Sequence, residues 1–411
     1  MSTTYSVITG DTFASVSRRK YGTENEAGFI ARANPGVAEP LTAGTVINTP
    51  ALPTTPVDSP QTAPSDNENE TAVLIDGKRF RFWTAVRITR AIDTMDTIEL
   101  SAPLDVDAPD FRDTFRPFSY KPLTVTVGGD PLFTGTMVAV SPTLVPDGKT
   151  VAVSGYALPG VLNDCTPPAS AFPLEFNDQG LKEIAATVAA PFGLKVEFAA
   201  GQGAVFERVA AEPGKKALTF LADLAKQRNL VISSTPRGAV IFSQSVDAGS
   251  PVGKLQQGQS PVISVTPFFS PQEYYSHITG VEPVIVGLSG SQFTVKNPRL
   301  LGVTRPLTFN APDTVDADVK TAVEAKAGRM YGNMAAYSVR VSTWRDPSGK
   351  LWTPNTTVIL QAKDAMIYSE YEFVIRSIEF VRERAEEFST LDLVVPGAFS
   401  GKIPEALPWD E

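Results

Sequence analysis

The stretch that decides the fold is AVLIDGKRFRFWTAVRITRAIDTMDTIEL, which runs from Ala72 to Leu100. Between positions 82 and 90 the residue types alternate with the period of two that places successive side chains on opposite faces of a strand. We expect Val86 and Ile88 on the inner face of a strand in a hairpin-rich sheet edge. The outer face would carry Trp83, Arg87 and Arg90. Such a mixed face suits contact with another protein chain, although a half-exposed sandwich strand would show the same pattern.

The composition limits the class of protein. A chain of 411 residues is long enough for about two to four domains. Its net charge of −9 argues against a general nucleic-acid-binding protein, which would present excess Lys and Arg to the phosphates. The first residues lack the apolar run of a signal peptide, and no segment approaches the ~20 apolar residues of a membrane span. We expect a soluble protein made in the cytoplasm, without membrane insertion.

The scarcity of Cys and His removes several kinds of chemistry. The chain has one Cys and one His, Cys165 and His277, which cannot assemble a common zinc site. His277 lies in a strand-like run without a nucleophile motif, and we expect an ordinary sheet histidine. The loop with Asp105, Asp107 and Asp110 lacks the Gly and Glu of a calcium loop. The sequence predicts no catalytic residue, no metal site and no cofactor.

The first fifty residues predict a small unit with the order strand, helix, helix, strand. They resemble a LysM module in Tyr5, Gly10-Asp11-Thr12-Phe13, Tyr21-Gly22, Ala33-Asn34-Pro35, Gly44 and Val46-Ile47. The resemblance implies a shallow groove that binds the N-acetylglucosamine backbone of peptidoglycan or chitin, or that is reused to bind a neighbouring protein. The implied glycan- or partner-binding residues are Gly10, Asp11, Thr12, Phe13, Asn34 and Pro35. Each of these residues also has a structural role, as a turn residue, a helix cap, a core residue or a residue that terminates a helix.

The rest of the chain predicts a β, α+β, β order. A Pro-rich linker covers residues 51–70, where no apolar periodicity is present. Residues 71–170 predict the first β domain, with turns at Asp76-Gly77 and Gly128-Gly129. Residues 171–250 predict an α+β insert whose first helix is capped by Asn177-Asp178 and whose second begins near Lys216. Residues 251–400 predict a second β domain with one helix near 315–330, and 401–411 form a tail.

The body resembles the Mu-like baseplate hub proteins of contractile-tailed phages. The resemblance rests on GKRFRFWTAVRITRAID, VGGDPLFTGTMVAVSP, LAKQRNLVISSTPRGAVIFS and YEFVIRSIEF, and it covers nearly all of residues 71–400. It implies a mostly β fold in which two tube-like antiparallel β domains flank the α+β region, preceded by the βααβ LysM domain. It also implies a homotrimer whose six β domains join a six-fold tail tube to a three-fold central spike.

That resemblance also implies a location and a set of partners. The expected location is the virion tail baseplate, assembled in the host cytoplasm. The expected partners are the tail tube protein, the central spike protein and other baseplate proteins, with peptidoglycan as a further candidate and DNA only in transit through the lumen. Two alternatives remain: a LysM-anchored cell-wall hydrolase, which would need a carboxylate pair in a cleft, and a LysM-anchored peptidoglycan-binding protein.

Overall fold

A computed structural model describes residues 3–21, 27–49, 69–145, 148–246, 249–281, 292–300, 302–310, 319–383, 386–397 and 406–410. The chain forms two compact units, Met1–Pro64 and Ser65–Glu411. Of the predicted Pro-rich linker, residues 51–68 lie outside the described residues, as do 401–405 and 411 of the predicted tail.

The N-terminal unit has the predicted order of elements. These are β1 (Thr3–Ser6), α1 (Phe13–Tyr21), α2 (Ala27–Arg32) and β2 (Val46–Thr49). The two strands are antiparallel, with Tyr5 opposite Ile47. Apolar side chains from both helices and the second strand close a small core of its own, formed by Val7, Phe13, Val16, Ile30, Leu41 and Ile47.

The second unit begins with a β region that turns where the sequence predicts. Its elements are β3 (Thr71–Ile75), β4 (Lys78–Phe80), β5 (Ala85–Ala91), β6 (Thr97–Pro103), α3 (Pro109–Thr114), β7 (Pro122–Val127), β8 (Asp130–Val145) and β9 (Gly148–Ala157). Asp76 and Gly77 both have positive φ angles, 53° and 73°, which is the geometry of a two-residue hairpin turn. Gly128 and Gly129 turn the next hairpin in the same way. We call this set the first β region.

An insert, residues 158–245, follows the first β region and has a separate core. Its elements are α4 (Val161–Asp164), β10 (Glu175–Gln179), α5 (Leu181–Ala189), β11 (Val196–Phe198), β12 (Phe206–Ala210), α6 (Ala217–Gln227), β13 (Val231–Ser234) and β14 (Val240–Ser243). Helical spacing in the sequence predicts that Leu181, Ile184, Ala185 and Val188 share one buried stripe of α5, and all four are buried. The predicted cap is wrong, because Asn177 and Asp178 lie in β10 and that strand pairs with β12.

The second β region contains nine strands and a helix among the described residues. They are β15 (Lys254–Gln256), β16 (Val262–Phe269), β17 (His277–Val281), β18 (Gln292–Lys296), β19 (Pro306–Asn310), α7 (Val319–Met334), β20 (Ala335–Val341), β21 (Thr357–Ala362), β22 (Ile367–Glu383) and β23 (Glu386–Val394). Alternation in the sequence predicts Tyr337, Val339 and Val341 on one face of a strand, opposite Ser338, Arg340 and Ser342. The prediction is confirmed, since the first three are fully buried.

Three strands of the second β region form a separate sheet, and this separate sheet was not predicted. β17 pairs with β18 and β19 in a small sheet that packs against α7. Helical spacing in the sequence predicts Val319, Val323 and Lys326 on one face of α7. Val319 and Val323 are buried there together with Met330, whereas Lys326 is exposed. Residues 311–318, where we expected the helix to begin, lie outside the described residues.

The other strands of the two β regions form a single sheet of 13 strands. Its main path is β16-β20-β23-β22-β5-β6-β9-β8-β7-β3-β4, with β21 pairing β22 and β15 pairing β21. The prediction of a sheet edge at β5 is therefore wrong, because β5 lies between β6 and β22. One hydrophobic core runs under both regions. The stretch from Ala72 to Leu100 thus supplies β5, the strand that joins the two regions.

Candidate assembly surfaces

The first predicted binding loop of the N-terminal unit is held together by Asp11. This carboxylate is buried and accepts hydrogen bonds from the Ile8 N–H at 2.9 Å, the Tyr5 hydroxyl at 3.0 Å and the Arg19 guanidinium at 2.7 Å. Thr12 caps α1, because its Oγ1 accepts the Ser15 N–H at 3.2 Å. These contacts fix the loop and leave Asp11 little capacity for a ligand.

The second predicted loop is fixed in a similar way by Asn34. Its Nδ2 donates to the carbonyl oxygens of Ile30 and Asn48, each at 2.8 Å, and its Oδ1 accepts the Asn48 N–H at 2.7 Å. The Glu39 carboxylate, later in this loop, accepts the Phe13 N–H at the start of α1. The two predicted loops are therefore directly joined.

The six predicted binding residues divide by exposure. Gly10 and Pro35 are exposed and Thr12 is partly exposed, whereas Asp11, Phe13 and Asn34 are buried. A ligand would reach the first three directly and would depend on the other three for the shape of the loops. The assignment of these residues to glycan or partner binding stays a prediction.

In the second unit, the junction between β5 and β22 is the feature that organises the fold. Ile88 lies opposite Phe380 in the ladder, and both side chains are fully buried. On the outer face, Arg87 pairs with Glu379 of β22 at 2.7 Å. The outward position predicted for Arg87 is confirmed. Its partner on this face, Glu379, belongs to the same chain.

Arg90 occupies the inner face, so its predicted outward position is wrong. Its Nε donates to Asp96 at 3.1 Å, and both side chains are buried. The Asp96 N–H donates to Ser234 Oγ of the insert at 2.9 Å. Burial raises the pKa of Asp96 to about 6, although the charge of Arg90 and the hydrogen bonds of Arg90 and Ser234 lower it. This buried cluster fastens the insert to the sheet.

Two further arginines hold the β regions together. Arg345, in the loop after β20, pairs with Asp130 at 2.8 Å and donates to the Val127 carbonyl at 3.1 Å. Arg382, near the end of β22, donates to the Thr71 hydroxyl at 3.0 Å at the start of β3. Polar contacts of this kind fix the relative position of the regions, because each guanidinium is held in a defined direction.

An arm formed by residues 138–145 of β8 and 148–150 of β9 extends from the first β region. β9 accompanies β8 to the tip, where Val145 lies opposite Gly148, but β7 pairs with β8 only as far as Thr136. No described strand pairs with the outer edge of β8 beyond that point. Leu144 is 67% exposed there, and Val145 is also exposed.

A loop next to the arm presents aromatic side chains. Phe118 and Tyr120 are exposed, and both have positive φ angles, 58° and 47°. Positive φ in bulky residues is strained and persists only where the surrounding structure enforces it. Lys121 helps to enforce it, because its Nζ donates to the Asp113 carboxylate and carbonyl. This exposed pair was not predicted, although two aromatics between prolines in RPFSYKP could have indicated an exposed loop.

One end of the sheet also presents apolar side chains to solvent. β16 is the terminal strand of the sheet, and Ile263, Phe268 and Phe269 on it are exposed. Exposed apolar edge strands favour association with another chain. The arm, the aromatic loop and β16 are therefore the candidate assembly surfaces of the second unit.

His277 and Cys165, the two residues considered for catalysis, lie in different elements, in β17 and at the end of α4. His277 Nδ1 is 2.9 Å from Ser276 Oγ, which itself accepts the Arg305 N–H at 2.8 Å. Cys165 is exposed at the end of α4. Among the described residues, no three His, Cys, Asp or Glu side chains are placed to hold a metal ion. In the same part of the chain, no helix is long and apolar enough to cross a membrane.

Comparison with known proteins gives matches for the second unit. Residues 159–244 match the family described as baseplate hub protein gp44-like, second domain. The chain is 22% identical over 311 residues to the baseplate hub protein gp44 of Escherichia phage Mu, which covers 72% of this chain and 79% of that protein. Residues 159–244, which the family model matches, include the whole insert between α4 and β14.

Solved structures match over a larger share of the chain. The 43 kDa tail protein of prophage MuSo2 from Shewanella oneidensis superposes with a TM-score of 0.70 at 25% identity, covering 80% of this chain and 99% of that one. A tail protein from Neisseria meningitidis MC58 has the same fold, with a TM-score of 0.67 at 18% identity, covering 80% and 98%. The sequence resemblance and these matches agree: residues 159–244 match the gp44-like hub family, and the chain is similar to the Mu-like baseplate hub proteins of phage tails.

Proposed function

We propose that three copies of this chain form the adaptor of a contractile phage tail, joining a six-fold tail tube to a three-fold central spike. The observation that carries the proposal is the continuous 13-stranded sheet, in which β5 and β22 join two β regions in one rigid frame. Three chains would supply six β regions to a closed ring, which reconciles six-fold and three-fold partners.

The candidate assembly surfaces support a ring of this kind. The arm and β16 lie in different β regions and differ in sequence. A contact between the arm of one copy and β16 of another would therefore join two different surfaces. Contacts between different surfaces generate a closed ring when the rotation between copies divides the circle. The tail tube, the central spike and other baseplate proteins would contact the surfaces that remain.

The charge of the chain fits a passage for DNA. Three copies at −9 each carry a total of three times −9, or −27. A strongly negative ring does not retain a polyanion, because phosphate contacts depend on Lys and Arg. In this proposal DNA only passes through the lumen, and the particle is assembled in the host cytoplasm.

The experiment is to measure the mass of the purified chain in solution by light scattering. A trimer would have a mass of three times 44.0 kDa, about 132 kDa. A chain that remains at 44.0 kDa over the whole concentration range would contradict the adaptor proposal.

For the N-terminal unit we propose a LysM module that contacts other baseplate proteins, with peptidoglycan as the alternative ligand. Its support is the predicted βααβ order, together with the direct contact between the two predicted loops. Sedimentation of the chain with purified cell walls distinguishes the two ligands. If the chain sediments with cell walls and Thr12→Arg removes this binding, peptidoglycan is favoured as the ligand. If the chain does not bind the cell walls, a protein partner is favoured.

A further inference from the structure

A cleft of about 250 Å³ lies where the insert meets the second β region. Lys226 of α6, Arg329 of α7 and Arg376 of β22 line it, together with Asp93 from the turn after β5. The lining therefore has three formal positive charges and one negative charge. Leu230 and Ile232, which are buried apolar residues, form part of the wall.

The charges of the cleft are only partly balanced. Arg376 pairs with Asp93 at 3.0 Å, and Lys226 lies 3.5 Å from Asp223 on its own helix. Arg329 is partly buried, yet among the described residues it makes no hydrogen bond or ion pair. Burial lowers the pKa of Arg329, and the charge of Asp93 offsets this only in part. A partly desolvated guanidinium without a direct partner favours binding of an anion.

We propose that this cleft binds the carboxylate of an acidic side chain from a neighbouring protein chain. The Arg329 guanidinium offers a planar pair of donors that matches a carboxylate in a bidentate arrangement, and the positive charges of Lys226 and Arg376 line the same cleft. The apolar wall suits the methylene groups that carry such a carboxylate, and a free inorganic anion would gain nothing from it. The volume is below the usual range of small-molecule sites and fits one or two side chains.

A nucleic acid is a poorer fit for the same cleft. A phosphate backbone needs a row of cations along its length, and here the cations converge on one point. The net charge of −9 would also oppose the approach of a long polyanion. The proposal does not depend on the trimer, because any chain with an accessible Asp or Glu can supply the ligand.

The experiment follows the Nε–Hε NMR signals of arginine in the full chain during titration with a blocked Ala-Glu-Ala peptide. The matched Ala-Gln-Ala peptide and inorganic phosphate are the control ligands. Arg329→Met assigns the Arg329 signal and tests its role. Lys320→Met is the control variant, because Lys320 is an exposed cation on the same helix and outside the cleft.

We expect the Glu peptide to shift the Arg329 signal, and we expect Arg329→Met to weaken binding at least tenfold while Lys320→Met leaves it unchanged. Arg329→Met should also keep or raise the melting temperature, since it removes a partly desolvated charge. The proposal is contradicted if the Gln peptide binds equally, if only phosphate binds, or if no ligand shifts the signal. A large fall in the melting temperature of Arg329→Met would instead show that Arg329 has a structural role within the chain.

Discussion

At the scale of the residue, the contact between Arg90 and Asp96 is the most consequential in the second unit. Replacing Asp96 by Ala leaves a buried guanidinium without its carboxylate, which typically costs 3–5 kcal/mol. We expect Asp96→Ala to lower the free energy of unfolding by about 3 kcal/mol in urea denaturation. The control is Arg87→Ala, which removes an exposed ion pair and should cost less than about 1 kcal/mol. Equal effects of the two variants would contradict this account.

The same carboxyl group predicts a dependence of stability on pH. Its pKa is raised to about 6 in the folded protein, from an ordinary value of 3.8. Between about pH 4 and pH 6 the folded state binds a proton that the unfolded state has released, so this group stabilises the fold less as the pH rises. The unfolding free energy of the wild type relative to Asp96→Asn should fall by about 2 kcal/mol from pH 4 to pH 7. A difference that stays constant with pH would show that the pKa is not raised.

At the scale of the element, the account depends on the ladder between β5 and β22. Phe380 of β22 is fully buried and packs edge-on against Trp344 at 5.5 Å between ring centroids. Phe380→Ala should therefore cost about 3–5 kcal/mol of unfolding free energy. Phe118→Ala makes the same chemical change at a side chain that is 83% exposed, and it should cost less than about 0.5 kcal/mol.

Calorimetry of Phe380→Ala tests whether the β regions unfold together. Because one core lies under both, we expect a single transition of the 13-stranded sheet to move to lower temperature. Two transitions, of which only one moves, would show that the β regions are independent.

Local patterns in the sequence were sufficient for many elements. Alternation predicted β20, and the Asp76-Gly77 turn predicted the first hairpin. The pairing of β5 with β22 could not be predicted, because the partner strands lie almost 300 residues apart and periodicity carries no information on long-range pairing. Arg90 was misplaced because its charge suggested solvent, whereas its position in the alternation placed it beside Ile88.

Local sequence patterns were equally limited in predicting the sites. Asn177 and Asp178 are good cap residues, but the pairing of β10 with β12 overrides that local preference. The exposed Phe118 and Tyr120 depend on backbone angles that the sequence does not state. Sequence could name the candidate loops of the N-terminal unit, but only the structure shows that Asp11 and Asn34 are already engaged in hydrogen bonds.

At the scale of the whole molecule, the two compact units should have separable roles. A chain that begins at residue 65 retains the complete 13-stranded sheet and its core. We expect this truncated chain to assemble as the full chain does and to lose only the contacts of the N-terminal unit. Light scattering of both chains checks this expectation, and a truncated chain that stays monomeric while the full chain assembles would assign assembly to the N-terminal unit.

The most direct test of the central claim is electron microscopy of the purified full-length protein, with its mass measured on the same sample. We predict ring-shaped particles with three-fold symmetry, six similar lobes and a mass of about 132 kDa, three times 44.0 kDa. Single particles of 44.0 kDa, or rings of any other symmetry, would contradict a trimeric adaptor.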